Sequence, residues 1–300
     1  MLMTIHDSTV ASYALVGGHG EQDELGRVGH LLISEGKLSE HQAGQVVRHQ
    51  QEHGGKFGEV AVALGFISAA DLQRVLAQQF AYSVLTPGEG GLDDSLYMAF
   101  TPFDPDKEKI KGLRSQLQLN WLTADNKRLL ITGVDESAAR DQLLGNLAIA
   151  FAQAGKRTLM LDANLRNGGL HQLFGLSNPR GVADYLAGRA QLGNLIQPVA
   201  ALENLFLLSR GAEAPNPQEL LSLPSLPRLL DGVESAFDVI LISGADLLEA
   251  YDSQILAALI PGALCVVTER RTRLKALKAM QQRLQLAQCN LLGCIYQHAR

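Results

Sequence analysis

Short apolar runs alternate with segments of helical character throughout the second half of the chain. The runs predict strands at 128–133, 158–163, 204–210, 237–243, 263–269 and 291–296. The segments between and before them predict helices at 106–122, 142–157, 217–235, 251–260 and 272–288. Continuous apolar strands alternating with helices are typical of a parallel sheet covered on both faces. We therefore predict an α/β fold with a mainly parallel, doubly wound sheet, whose ligands bind at the carboxyl ends of the strands.

A repeat occupies the first part of the chain. Segments 27–50 and 56–79 align with each other without a gap, and the spacer QEHGG separates them. The alignment pairs Arg27 with Lys56, Gly29 with Gly58, Gly36 with Gly65, and Gln50 with Gln79. Each copy predicts two helices. The glycine between them, Gly36 in the first copy and Gly65 in the second, lies just past the end of the first helix. Ser39 and Ser68 then stand as N-caps, each with a polar residue three positions later.

These patterns divide the chain into three parts. We predict a tandem-repeat helical domain at 22–82, a linker at 83–105, where Gly, Pro and Asp are frequent, and an α/β domain at 106–300.

Composition narrows the classes of protein that the chain can be. The 300 residues are 46% apolar and 19% charged, with a net charge of −5, which excludes a disordered acidic tail. This balance gives no overall attraction to nucleic acid, so we expect no nucleic-acid partner, and we interpret the basic helix at 270–283 as a solvated face. The three cysteines fit neither a disulfide framework nor a zinc site, and we expect no metal centre. No apolar run is long enough to span a membrane and no signal peptide is evident, so we expect a cytoplasmic protein.

The loop after the first strand is the place where a phosphate-binding loop would lie. Such a loop needs several glycines, a lysine, and a serine or threonine hydroxyl for magnesium. Here the sequence TGVDESAARDQ has one glycine, Gly133, and carries Asp135 and Glu136 where phosphates would sit.

Residues 146–188, with PNPQELL at 215–221 and FDVILIS at 237–243, resemble the bacterial tyrosine kinases of exopolysaccharide synthesis. Those kinases belong to the ParA/MinD-like P-loop ATPases, and the resemblance covers roughly 105–296. The tandem repeat resembles the N-terminal domain of type II secretion and type IV pilus ATPases, which binds cyclic di-GMP in some members. Together the two halves are similar to the chain-length-determinant tyrosine kinases.

This resemblance assigns roles to positions at which the chain departs from the family pattern. The family's loop ends in Gly-x-Gly-Lys/Arg-Ser/Thr, and here both glycines are gone, Arg140 keeps the charge, and Asp141 replaces the magnesium hydroxyl. The second motif, Asp-Ala-Asp-Leu-Arg, reads Asp162 to Arg166 with Asn164 as its altered residue. The third should end in an aspartate, where this chain has Ser243. Three elements therefore change, which we treat as independent losses, and we expect neither ATP nor magnesium as a cofactor.

The resemblance also implies surfaces for other molecules. Related kinases form rings through a helix with the pattern Glu-x-x-Arg-x-x-Arg. The pattern formed by Glu108, Lys111 and Arg114 resembles it. These residues are therefore interpreted either as an oligomer interface or as a solvated, charged helix face. The cyclic di-GMP candidates are the paired positions of the repeat: Arg27, Gly29, Gly36, Gln50, Lys56, Gly58, Gly65 and Gln79. A docking domain whose glycines are only helix caps is the alternative.

The first functional interpretation is a non-catalytic pseudokinase that regulates or scaffolds exopolysaccharide synthesis and senses cyclic di-GMP. Its partners would be a membrane chain-length regulator, which would hold it at the inner membrane, and further copies of itself or an active kinase. The alternatives are an active tyrosine autokinase with an atypical loop and a ParA/MinD-like nucleotide-binding positioning protein.

Overall fold

A computed structural model describes residues 26–72, 75, 85, 89–100, 107–134, 138–177, 180–248 and 251–297. Its contacts divide the chain into two compact units, with the break between residues 84 and 85. Each unit has its own hydrophobic core.

The N-terminal unit is helical and shows the repeat in its backbone. Its helices are α1 (Gly26–Ser34), α2 (Glu40–His53) and α3 (Phe57–Ala63), and residues 69–72 begin another. Gly36 and Gly65 take left-handed φ angles of 68° and 70° at equivalent turns. The predicted capping pattern is present in both copies: Gln42 N–H donates to Ser39 Oγ at 3.3 Å, and the equivalent bond from Asp71 to Ser68 is 3.1 Å.

The second unit is an α/β structure built on one seven-stranded sheet. Its strands are β1 (Arg128–Gly133), β2 (Thr158–Asp162), β3 (Gln197–Pro198), β4 (Leu205–Leu208), β5 (Val239–Ser243), β6 (Gly262–Thr268) and β7 (Asn290–Gln297). Its helices are α4 (Tyr97–Phe100), α5 (Glu108–Asn120), α6 (Ala138–Gln153), α7 (Leu170–Leu173), α8 (Val182–Leu186), α9 (Pro217–Leu221), α10 (Ser225–Glu234), α11 (Asp252–Leu259) and α12 (Leu274–Leu286). Short 3-10 turns lie at Glu89–Gly91 and Leu192–Asn194.

The strands lie in the order β3-β4-β2-β5-β1-β6-β7, and every pair is parallel except β3 with β4. Alternate strand residues enter two separate cores, as Leu129 and Leu130 do, so helices cover both faces of the sheet. The predicted mainly parallel α/β fold is confirmed. Among the helices that the structure describes, none has both the length and the apolar character needed to cross a bilayer.

The predicted linker at 83–105 is wrong for residues 89–100, which belong to the α/β unit. Leu96 and Met98 are fully buried in one of its cores. The side chain of Asn146 on α6 accepts from Met98 N–H at 2.9 Å and donates to Ser95 C=O at 2.8 Å. Gln153 on the same helix donates to Met98 C=O at 3.0 Å. A composition rich in turn-forming residues predicts a linker. Here the same composition belongs to a buried segment, because side chains of α6 make the hydrogen bonds that its backbone does not make within a helix or a sheet.

Two predicted helices differ from the observed ones. The helix expected at 142–157 begins at Ala138 and ends at Gln153, so it includes Arg140 and Asp141. The helix expected at 217–235 is two helices, α9 and α10, and Pro224 precedes the second. Proline cannot continue a helix begun upstream of it, which explains the break.

Candidate functional site

The candidate site lies where β1, β2 and β5 end, at the carboxyl edge of the sheet. These strands are neighbours in the order β2-β5-β1, and Asp162 is paired in register with Ser243. The first turn of α6 brings Arg140 and Asp141 to the same edge. Four of the sequence-predicted residues therefore come together around one point.

Arg140 points into the protein. Its residue is 3% exposed, and its Nη1 donates to Asp246 Oδ1 at 2.9 Å while its Nε lies 3.4 Å from Asp141 Oδ1. The guanidinium is thus shared between two carboxylates that are themselves buried. Removing one partner of such a buried pair is strongly destabilising, because it leaves the other charge without compensation.

Asp141 and Ser243 form a direct contact that the sequence did not predict. Ser243 Oγ donates to Asp141 Oδ1 at 2.9 Å, and Gly169 N–H donates to Asp141 Oδ2 at 3.4 Å. The contact joins the first turn of α6 to the end of β5.

Asp162 is the most deeply buried acid of the site. It is 0% exposed, Leu170 N–H donates to its Oδ2 at 3.4 Å, and its Oδ1 makes no hydrogen bond with any described residue. Burial, reinforced by the negative charge of Asp141, raises the pKa of Asp162 to about 8, although Leu170 N–H and Arg140 oppose the shift. Gly168 closes over this carboxylate, since a Cβ there would lie 2.3 Å from Asp162 Oδ1. Burial therefore favours the protonated form of Asp162.

The rest of the second motif holds the loop after β2. Asn164 Oδ1 accepts from Asn167 N–H at 3.3 Å, which shapes a turn. Arg166 binds Asp252 on α11 through two bonds of 2.7 and 3.2 Å. That ion pair raises the pKa of Arg166 above its usual value. Asn164 and Arg166 thus act on backbone shape and on the packing of α11.

Asp246 and Asp252 were missed by sequence reasoning. Asp246 lies three residues past β5, and an acid just after the carboxyl end of a buried strand was the available signal. Asp252 gives no signal in the sequence, because only the tertiary structure brings it to Arg166. Within the described part of the chain, no group of His, Cys, Asp and Glu side chains has a geometry that could hold a metal ion.

The predicted cyclic di-GMP positions have structural contacts of their own. Gln50 Nε2 donates to Gly55 C=O at 2.8 Å, and Lys56 lies 3.7 Å from Glu59 in an exposed pair. A Cβ at Gly58 would lie 2.3 Å from Leu72 Cδ1, so this glycine permits two helices to approach closely. Gly29 is buried in α1, while the side chain of Arg27 and the whole of Gln79 lie outside the described residues.

The three charged residues of the predicted oligomer motif are not displayed together. Lys111 Nζ binds Glu108 Oε1 at 2.7 Å within α5. Arg114 turns inward, and its Nη1 donates to the carbonyl of Ala150 on α6 at 3.0 Å. In this structure Arg114 joins two helices of the same unit.

Comparison with known proteins identifies relatives of the α/β unit. No family model matches the chain. A candidate tyrosine-protein kinase in the cps region of Klebsiella pneumoniae is 32% identical over 194 residues, which cover 65% of this chain and 27% of that protein. The tyrosine-protein kinase wzc of Salmonella typhi is 32% identical over 182 residues, which cover 61% of this chain and 25% of the relative. This chain therefore spans about a quarter of the length of these relatives.

Among solved structures, the kinase domain of the Escherichia coli tyrosine kinase ETK superposes with a TM-score of 0.65 at 28% identity. The superposition covers 68% of this chain and 80% of that domain. About two thirds of this chain is therefore similar to bacterial tyrosine-protein kinases, and its α/β unit has the fold of the ETK kinase domain.

Proposed function

We propose that this protein is a non-catalytic relative of the tyrosine kinases, and that it regulates or scaffolds exopolysaccharide synthesis. The observation that carries the proposal is the orientation of Arg140. This residue stands where the family has the cation of its phosphate-binding loop, and here it is buried between Asp141 and Asp246. A guanidinium committed to two carboxylates is not available to a triphosphate.

The charge around Arg140 supports the same proposal. Asp141 and Asp246 are both buried beside it, so the positive charge of the guanidinium is offset by two carboxylates at this edge. Phosphoryl transfer depends on positioning and on electrostatic stabilisation of the transferred group. Carboxylates in place of donors oppose both requirements.

Titration calorimetry with magnesium and ATP, combined with mass spectrometry for phosphotyrosine, tests this proposal. We expect the wild-type protein to show neither binding nor modification. Magnesium-dependent ATP binding that is lost on Arg140→Ala would refute it and would favour the active-kinase alternative; binding without turnover would favour the positioning protein. The variant A139G/D141T/S243D restores the family pattern at three positions, and we expect it to bind ATP more tightly than the wild type.

A second proposed activity is cyclic di-GMP sensing by the tandem repeat. The equivalent caps at Ser39 and Ser68 and the equivalent turns at Gly36 and Gly65 support it, because a two-fold ligand suits a repeated backbone. Calorimetry with cyclic di-GMP on the wild type and on Arg27→Ala tests it. No heat at protein concentrations of tens of micromolar would leave the repeat as a docking domain.

The proposed partner is a membrane chain-length regulator of polysaccharide export, with further copies of this chain or an active kinase as additional partners. The homology to kinases of capsule and exopolysaccharide synthesis supports this choice. Co-expression and co-purification with the regulator tests it, and light scattering on the isolated chain measures self-association. Failure of the regulator to co-purify under conditions in which both proteins are folded would count against it.

A further inference from the structure

A strongly basic region lies at the C-terminal end of the described chain. No Asp or Glu occurs from residue 270 to residue 300, in a protein whose net charge is −5. Five basic residues in this region are exposed: Arg270, Arg271, Arg273, Lys275 and Lys278. Positive charge is therefore concentrated here against the overall balance of the molecule.

These residues lie at one corner of the sheet. Arg270, Arg271 and Arg273 form the turn that follows β6, and Lys275 and Lys278 lie three apart on the first turns of α12, so they share a helix face. The adjacent strand β7 ends beside this turn, since Thr268 pairs with Gln297. We call the five residues the basic corner.

The charges of the basic corner are almost uncompensated. Arg270 lies 3.8 Å from Glu269 in a pair whose arginine side chain is 87% exposed. The other four side chains make no ion pair with any residue that the structure describes. An exposed pair at such a separation neutralises little charge.

Two exposed side chains with apolar surface stand among these charges. Leu274 is 64% exposed between Arg273 and Lys275, and Tyr296 is 58% exposed on β7, where it contacts Glu269. Leucine has no favourable partner on a phosphate backbone, and a helix that reads nucleic acid comes with a recognisable motif. Basic residues surrounding an aliphatic side chain and a tyrosine match the chemistry of a lipid interface, where tyrosine lies at headgroup level and leucine reaches the acyl boundary.

We propose that the basic corner, with Leu274 and Tyr296, binds directly to the surface of a membrane that contains anionic lipids. The proposal is independent of nucleotide and cyclic di-GMP binding, because no residue of either candidate site takes part in it. Each basic residue near an anionic surface strengthens binding about fivefold. Five such residues and one leucine give reversible binding that weakens steeply with salt.

Flotation of the full chain with vesicles tests the proposal. We expect binding to phosphatidylcholine vesicles that contain phosphatidylglycerol, and none to phosphatidylcholine alone. The variant K275Q/K278Q should bind about 30-fold more weakly. The variant Leu274→Ser should bind about tenfold more weakly, with the salt dependence of the wild type.

A matched control separates the local effect from net charge. The variant K156Q/R228Q removes two exposed positive charges elsewhere in the α/β unit and should bind as the wild type does. Equal weakening in this control, absence of wild-type binding to the anionic vesicles, or displacement of the vesicles by a short nucleic-acid duplex would each overturn the proposal.

Discussion

The proton on Asp162 makes the stability of the α/β unit depend on pH in an unusual direction. Acids in native proteins are commonly stabilised in their charged form, and the protein then loses stability in acid. Asp162 is different, because burial and Asp141 raise its pKa from 3.8 to about 8. Between those two values the native state holds a proton that the unfolded chain has released. Stability from this group is therefore fully present below about pH 4 and is lost as the pH rises through about 8.

The size of this loss follows from the two pKa values. Each pH unit inside the window costs about 1.4 kcal/mol of unfolding free energy. Between about pH 6 and about pH 9 the wild type should lose about 3 kcal/mol through Asp162. The variant Asp162→Asn replaces the protonated acid by a neutral group of the same shape and removes this contribution.

Urea denaturation at a series of pH values measures the effect as a difference between the two proteins. Titrating groups that do not interact with Asp162 are common to both, so they cancel in the difference. We expect Asp162→Asn to gain about 3 kcal/mol over the wild type between about pH 6 and about pH 9. The exposed Asp125 provides a control, since Asp125→Asn should give a profile parallel to the wild type. A constant difference between Asp162→Asn and the wild type across this range would refute the protonated state.

Three further predictions concern contacts that lie within one unit or the other. Asn146→Ala leaves two backbone groups of the 89–100 segment unpaired; we expect a loss of about 2–3 kcal/mol and faster hydrogen exchange confined to that segment. Arg166→Ala leaves the carboxylate of Asp252 buried and unpaired. Because Arg166 is partly exposed, we expect a loss of only about 1–3 kcal/mol of unfolding free energy. The double variant R166A/D252N should recover most of this loss in a thermal melt. Gly58→Ala should destabilise the N-terminal unit by about 1 kcal/mol. The control Gly44→Ala, which has open space around its Cβ, should stabilise that unit by up to about 1 kcal/mol. Equal effects of the two variants in calorimetric melts would contradict the close approach at Gly58.

The sequence was most informative where one physical requirement dominated. A central strand of a parallel sheet is buried on both faces, so runs such as 128–133 and 237–243 are apolar without interruption and could be located to within about two residues. The caps at Ser39 and Ser68 were equally predictable, because they depend only on residues three positions apart.

Contacts between residues distant in the chain could not be predicted in this way. The burial of residues 89–100 depends on the amide of Asn146, about fifty positions away, and composition carries no trace of it. The inward orientation of Arg140 depends on Asp246, which was not recognised as part of the site. A basic residue in a loop gives the same sequence signal whether it faces a ligand or the interior.

Arg140, Asp141 and Ser243 form one set of contacts, so they are not independent positions in the structure. The buried carboxylate of Asp141 accepts from Ser243 Oγ and from Gly169 N–H, and the guanidinium of Arg140 lies beside it. An aspartate at 243 would instead face Asp141 with like charge. Ser243 and an inward Arg140 are therefore favourable for folding when an aspartate occupies position 141. Because the three side chains contact one another, we expect a substitution at any one of them to change the effect of substitutions at the other two on the free energy of unfolding.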